Sequence, residues 1–306
     1  MLRLVIVLLC CISGTVQAET AEYTKPKLSL WSVATEIPQT SWNTLEYSFT
    51  RDSLPSWAII IGSTAVLYHY DDDIYAGARH DGARWNIASE DHTKTMWSAY
   101  GIDILRVPTD TGSYLYFLGD GWVHMGTAAG FFLTGYFGDH VRPYNTGLEL
   151  LHGMIVSTIF NQVLKRSTGR ESPNRATEPR GKWRPFPSVN AYGQNTAMYD
   201  AFPSGHIMTA TLTFTTIAMN YPEYRWYIYP VEGVWLTALG FQMVNNGVHW
   251  ASDYPLGIAM GYVIAKMSVH MAERSTDMAS KIDQPHWAFY PAMTPDAPTM
   301  NAVYQF

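Results

Sequence analysis

The chain has 306 residues, a formal net charge of −6 and a mean hydropathy of −0.09, with 11 Trp and 20 Tyr. An acidic balance without any run of lysine or arginine argues against a nucleic-acid binder. Both cysteines, Cys10 and Cys11, lie at the extreme N-terminus, which excludes a disulfide framework, a thiolate metal site and a cysteine nucleophile from the rest of the chain.

Residues 1–18 read as a signal peptide: Arg3 gives the positive start, residues 4–11 the apolar run, and Val16, Gln17 and Ala18 a small-residue cleavage site. Its removal leaves 19 basic against 26 acidic residues, a net charge of −7, and predicts an exported protein of the periplasm or cell envelope. Residues 19–54 are polar and broken by Pro26 and Pro38, which predicts an irregular N-terminal arm. Apolar stretches follow at 57–68, 114–137, 148–164, 207–219, 226–244 and 256–269. Asp120 and His124, Glu149, His152 and Asn161, Glu232 and Lys266 interrupt four of the six. A spanning helix wants about 20 predominantly apolar residues, so the pattern favours a soluble or membrane-surface helical bundle. Residues 69–112 carry turn signals at Asp71, Asp72, Asp73, Gly77, Asp81 and Gly82, and the three aspartates read as a solvated turn. A long polar loop with Pro173, Pro179, Pro185 and Pro187 separates 164 from 207. No strand-like alternation is long enough to build a sheet. The predicted class is all-α, with an accessory region over 19–112, a helical domain over 113–272 and an extended tail over 273–306.

Three clusters carry chemistry. The first runs from Lys165 through Arg170 to Pro173, at the end of an apolar helix; Lys165 suits a phosphate oxygen, or merely a helix C-terminus. The second is Phe202, Pro203, Ser204, Gly205 and His206. Its Ser204 and Gly205 open a helix, where free N–H groups and the dipole favour an anion, and His206 stands beside them as a proton donor. An ordinary serine cap with a chance histidine fits that cluster alone equally well. The third holds His249 and Asp253, four apart, an imidazole whose one nitrogen a carboxylate could hold while the other acts as base or nucleophile. Elsewhere, Glu90, Asp91 and His92 read as surface, and His124, His152 and Glu149 as satisfied core groups. Trp183 and Tyr192 are candidates to touch the organic part of a substrate.

The order of a lysine-led motif, then Pro203-Ser204-Gly205-His206, then His249 and Asp253 resembles the three-part signature of the PAP2 and vanadium haloperoxidase superfamily. The resemblance covers about 148–269. It implies a helical bundle of the PAP2/haloperoxidase type with its site among loops at one end. His249 would be the nucleophile, forming a phosphohistidine, with Asp253 orienting it and His206 acting as general acid. Lys165, Ser204 and the Gly205 amide would hold phosphate oxygens, with no metal and no cofactor. The expected activity is phosphatase action on a phosphomonoester or pyrophosphate, its partner a phosphorylated small molecule or lipid phosphate at the envelope. A weakened or inactive binding protein and a vanadate-dependent peroxidase are the alternatives.

Two positions depart from the pattern. The arginine usual before the proline of the first motif is Ser172 here, and the one six residues before the nucleophile is Met243. Arg170 is the expected replacement, with Arg175, Arg180 and Arg184 on the same loop and Asn245 and Asn246 as neutral donors.

Overall fold

Side-chain oxygens start four of the helices. In the computed structural model, which describes residues 23–99, 102–274, 286–293 and 298–305, Asp110 caps α3 (Thr111–Phe117) by accepting from the Ser113 N–H, and Asp120 caps α4 (Gly121–Gly138) through Trp122. Ser188 does the same for the short α6 (Val189–Gln194), and Ser204 for α7 (Gly205–Asn220). Proline occupies the first turn of α1 (Ile37–Ser48), α2 (Leu54–Arg84) and α9 (Tyr254–Val269), where its missing N–H costs nothing. The remaining long helices are α5 (Val141–Thr168) and α8 (Arg225–Asn245). The leader expected over 1–18 lies outside the described residues.

The centre of the bundle is built by α4, α5, α7 and α9, whose Ala128, Leu150, Val156, Leu212, Ile264 and Ala265 form one buried cluster. Two pairs pack backbone to backbone. A Cβ on Gly147 would lie 2.5 Å from the Phe132 nitrogen, and one on Gly261 would lie 2.4 Å from the Met208 carbonyl oxygen. A second cluster of Ile207, Ala210, Leu239 and Met243 joins α7 to α8. Apolar side chains also face outward: Ile59, Phe137, Trp226 and Val234 are all more than 70% exposed. Among the described residues no helix is long and apolar enough to cross a membrane.

The all-α class holds for the body of the chain, with three corrections to its periphery. The arm expected to be irregular contains α1. The aspartates expected in a turn lie inside α2, and Asp71 is 1% exposed. Two antiparallel hairpins are present, Thr93–Ala99 with Ile102–Pro108 and His286–Met293 with Pro298–Gln305, the second within the tail expected to be merely extended.

The groups expected to be satisfied in the core are buried but only partly paired: His124 Nε2 and Glu149 Oε1 have no hydrogen-bond partner. His152 bonds the Val33 carbonyl and the Thr40 hydroxyl, each at 2.9 Å, and His124 bonds Thr213 at 2.9 Å. Glu149 receives the Asn220 amide, but burial dominates and pushes its carboxyl up to about 8. Between pH 4.5 and 8 the unfolded chain has released this proton while the folded chain keeps it, so folding becomes less favourable as pH rises, by up to ~1.4 kcal/mol per unit. Glu149→Gln removes that slope: in thermal melts it should match the parent near pH 5 and melt higher near pH 8.

Candidate active site

Backbone hydrogen bonds draw the three clusters to one end of the bundle. The Ala201 N–H donates to the Arg170 carbonyl and the Ser204 N–H to the Asp253 carbonyl, each at 3.0 Å. Thr168 Oγ1 donates to the Phe202 carbonyl at 3.0 Å, tying the end of α5 to the loop that opens α7.

At the junction, His249 and His206 face each other. His249 Nδ1 lies 2.6 Å from the Ala201 carbonyl oxygen, and its Nε2 lies 3.3 Å from His206 Nδ1. A carbonyl oxygen can only accept, so His249 Nδ1 carries the hydrogen and Nε2 presents its lone pair. The contact with His206 is then completed by a hydrogen on His206 Nδ1. Asp253 stands 3.6 Å from His249 Nδ1, beyond hydrogen-bond reach. It receives the Trp250 N–H at 2.7 Å instead, and holds the loop rather than the ring. Burial first, then the positive potential of His249, Lys165 and His124, holds the His206 imidazole well below its usual basicity.

Beside this pair opens a cavity of about 210 Å³ whose walls include Lys165, Asn161, Ser157, Gly205, His206 and Gly119. Lys165 is 7% exposed, and its ammonium lies 3.3 Å from Asp200. Gly205 reaches the cavity as the first residue of α7, behind the Ser204 cap. Asn161 was not singled out from sequence as a site residue. Its amide nitrogen would stand 2.5 Å from a Cβ on Gly205, and its buried Oδ1 has no hydrogen-bond partner. Its position one helical turn before Lys165 was the available signal. Asp200 and Tyr116, whose ring meets His206 edge-on at 5.2 Å, carried none.

The expected phosphate contact from Arg170 is corrected. Arg170 is completely buried, and its guanidinium donates to Asp71, Asp253, Ser252 and the Arg180 carbonyl, leaving no face for a phosphate. Nor does a neighbour take its place. Arg184 pairs with Glu171 at 2.7 Å, Arg180 lies over the Tyr68 ring, and Arg175 is exposed. Asn245 donates to the Ala88 carbonyl and to Gln242. Met243 is buried among Ile207, Ala210 and Leu239, and Ser172 donates its N–H to Ala197. Trp183 stacks near Arg170, Tyr68 and Phe202, whereas Tyr192 receives the Arg166 guanidinium on its ring face at 4.3 Å. Glu90 and Asp91 are surface residues, and the half-exposed His92 bonds Asp110 at 2.6 Å.

An undecaprenyl-diphosphatase of Sulfolobus acidocaldarius is 24% identical over 143 residues, which are 47% of this chain and 62% of that protein. The chain therefore matches less than two thirds of that relative's length. The crystal structure of a transmembrane PAP2 type phosphatidylglycerolphosphate phosphatase from Bacillus subtilis is similar at a TM-score of 0.40 and 16% identity, over 83% of this chain and 98% of that one. The model of the PAP2 superfamily matches residues 146–277, the stretch that carries Lys165, His206 and His249.

Proposed function

We propose that this chain is a phosphatase of the cell envelope that cleaves a phosphomonoester or pyrophosphate, with a lipid phosphate as the preferred substrate class. The observation that carries the reading is the His249 tautomer, fixed by the Ala201 carbonyl so that Nε2 faces His206 beside the Lys165 cavity.

In this mechanism His249 Nε2 attacks phosphorus and forms the P–N bond as the bond to the leaving oxygen breaks. His206 gives its proton to that oxygen. Water then attacks the phosphohistidine, losing a proton to His206, and the P–N bond breaks to release inorganic phosphate. Lys165, Asn161, the Ser204 hydroxyl and the Gly205 amide are the donors available for phosphate oxygens. The lipid preference draws on the diphosphatase relative and on an apolar groove of about 450 Å³ beside Phe202, lined also by Trp57, Ile61, Tyr68, Trp183 and Leu256. Export through the 1–18 leader and attachment by the outward apolar side chains, such as Trp226 and Ile59, would bring the site to an envelope lipid.

The absence of arginine at 172 and 243 favours one competing reading, a binding protein that has lost turnover. A single assay decides between them. Residues 19–306 should release phosphate from an aryl phosphate and from lipid phosphates, and His249→Ala should lose at least 10³-fold, roughly the scale for a nucleophile. Equal rates in the two proteins would refute the phosphohistidine.

The ion pair of Lys165 with Asp200 competes with substrate. Asp200→Asn should therefore lower KM, about fivefold if the pair is worth ~1 kcal/mol, and an unchanged or raised KM would count against Lys165 as the phosphate contact. Burial and the Lys165 ammonium disfavour the His206 cation, whereas a phosphate dianion favours it. Phosphate binding should thus take up a proton near neutral pH, visible in calorimetry as a heat that varies with the buffer's ionisation enthalpy.

A further inference from the structure

Asp71 lies on α2, 75 positions before the first residue matched by the superfamily model, yet its carboxylate is 1% exposed and reaches the loop that carries His249. Its Oδ1 accepts the Ser252 N–H at 3.1 Å, and its Oδ2 accepts the Ser252 hydroxyl and the Arg170 Nη2 at 2.7 Å. From the other side, Arg170 Nη1 donates to Ser252 Oγ at 2.7 Å and to Asp253 Oδ1 at 2.5 Å. The second oxygen of Asp253 receives the Trp250 N–H, immediately after His249. One guanidinium thus lies between two carboxylates, and all three groups are 0 to 1% exposed. The rings of Trp183 and Trp250 and of Tyr68 surround it at 5.0 to 5.3 Å, which closes it to water.

This arrangement constrains the His249 ring at a distance. The ring's Nδ1 is anchored on the Ala201 carbonyl, and the Ala201 N–H in turn donates to the Arg170 carbonyl. The loop at 249–253 is a short stretch with a single 3₁₀ turn, Ala251–Asp253, and has no helix of its own to fix it. Besides backbone bonds to Met243 and Ser204 and the Trp250 indole bond to the Glu171 carbonyl, the pair of bonds from Ser252 to Asp71 and the bond from Arg170 to Asp253 hold it. A carboxylate is the one side chain that can accept at Ser252 N, Ser252 Oγ and Arg170 together, because it offers two oxygens with four lone pairs and no donor.

We infer that Asp71 is a positioning residue for the proposed reaction: through Ser252, Arg170 and Asp253 it holds the His249 loop at the attack position. The inference rests on the phosphatase reading only for its catalytic consequence, and the anchoring itself is a separate, measurable property. Misplacing a nucleophile by about 1 Å costs on the order of 100-fold in rate, while substrate contacts at Lys165 lie on another helix and stay intact.

The test compares the full chain with Asp71→Asn, Asp71→Ala and, as a control on the same turn of α2, Asp73→Asn, an exposed position. Ser252→Ala removes the hydroxyl from the opposite side of the same node, and carries the test if the Asp71 variants do not fold. Hydrogen exchange is read at the amides of 249–253 and of α7, and kcat and KM are read on the best phosphate ester found for the parent. The expected result is faster exchange confined to 249–253, with kcat reduced ~10- to 100-fold and KM within about twofold, and no change for Asp73→Asn. Unchanged protection at 249–253, or loosening spread equally over α7, overturns the anchoring. Local loosening with an unchanged kcat overturns the catalytic consequence. A parent without phosphatase activity overturns the function reading, and the exchange data then decide the anchoring by themselves.

Discussion

The Arg170 guanidinium, closed off from water between Asp71 and Asp253, is the interaction on which the rest of the site depends. A buried cation is tolerable only when its donors are matched by acceptors, and removing one partner of such a set costs several kcal/mol. Here the matching partners come from α2, from the loop after α8 and from the Arg180 carbonyl, so one side chain welds three segments far apart in the chain. Neither Arg170 nor its two carboxylate partners line the Lys165 cavity. Arg170 is therefore committed to architecture, and the cavity has to manage with other donors.

Those donors are few. Lys165 shares its charge with Asp200, and the two positions where arginine was expected hold Ser172 and the buried Met243. Neutral groups fill the remaining wall: the Asn161 amide, Ser157, Thr158 and the N-terminus of α7. A helix N-terminus with an amide across from it suits an anion of modest charge density, and its dipoles need no reorganisation when charge develops. The proposed chemistry would lean on the His249 and His206 pair more than on a cationic cradle.

Much of this arrangement was legible in the sequence. The stretches at 207–219, 226–244 and 256–269 became helices within two residues of those bounds, because continuous apolar runs bounded by Pro and Ser signal helices reliably. The stretch at 114–137 split at Asp120, whose capping role a hydropathy reading passes over. The long α2 was missed because Asp71, Asp72 and Asp73 are poor helix formers locally; the tertiary partner that donates to Asp71 sits 99 residues away. The hairpins were missed because each strand gains its hydrogen bonds only from its neighbour. Motif spacing named His249, His206, Lys165, Ser204 and Gly205, which the fold brings to one end of the bundle. It could not tell that Arg170 points into the core, since burial of a guanidinium depends on acceptors from elsewhere in the fold.

The bond between Asp71 and Ser252 spans 181 residues. Contacts of such separation close large loops and form late, after the local helices they connect. During synthesis α2 emerges long before the loop that carries His249, so its aspartate waits in water until the guanidinium and the Ser252 turn arrive together. The reactive geometry is thus among the last features to mature, and a half-folded chain carries both histidines without yet holding them in register.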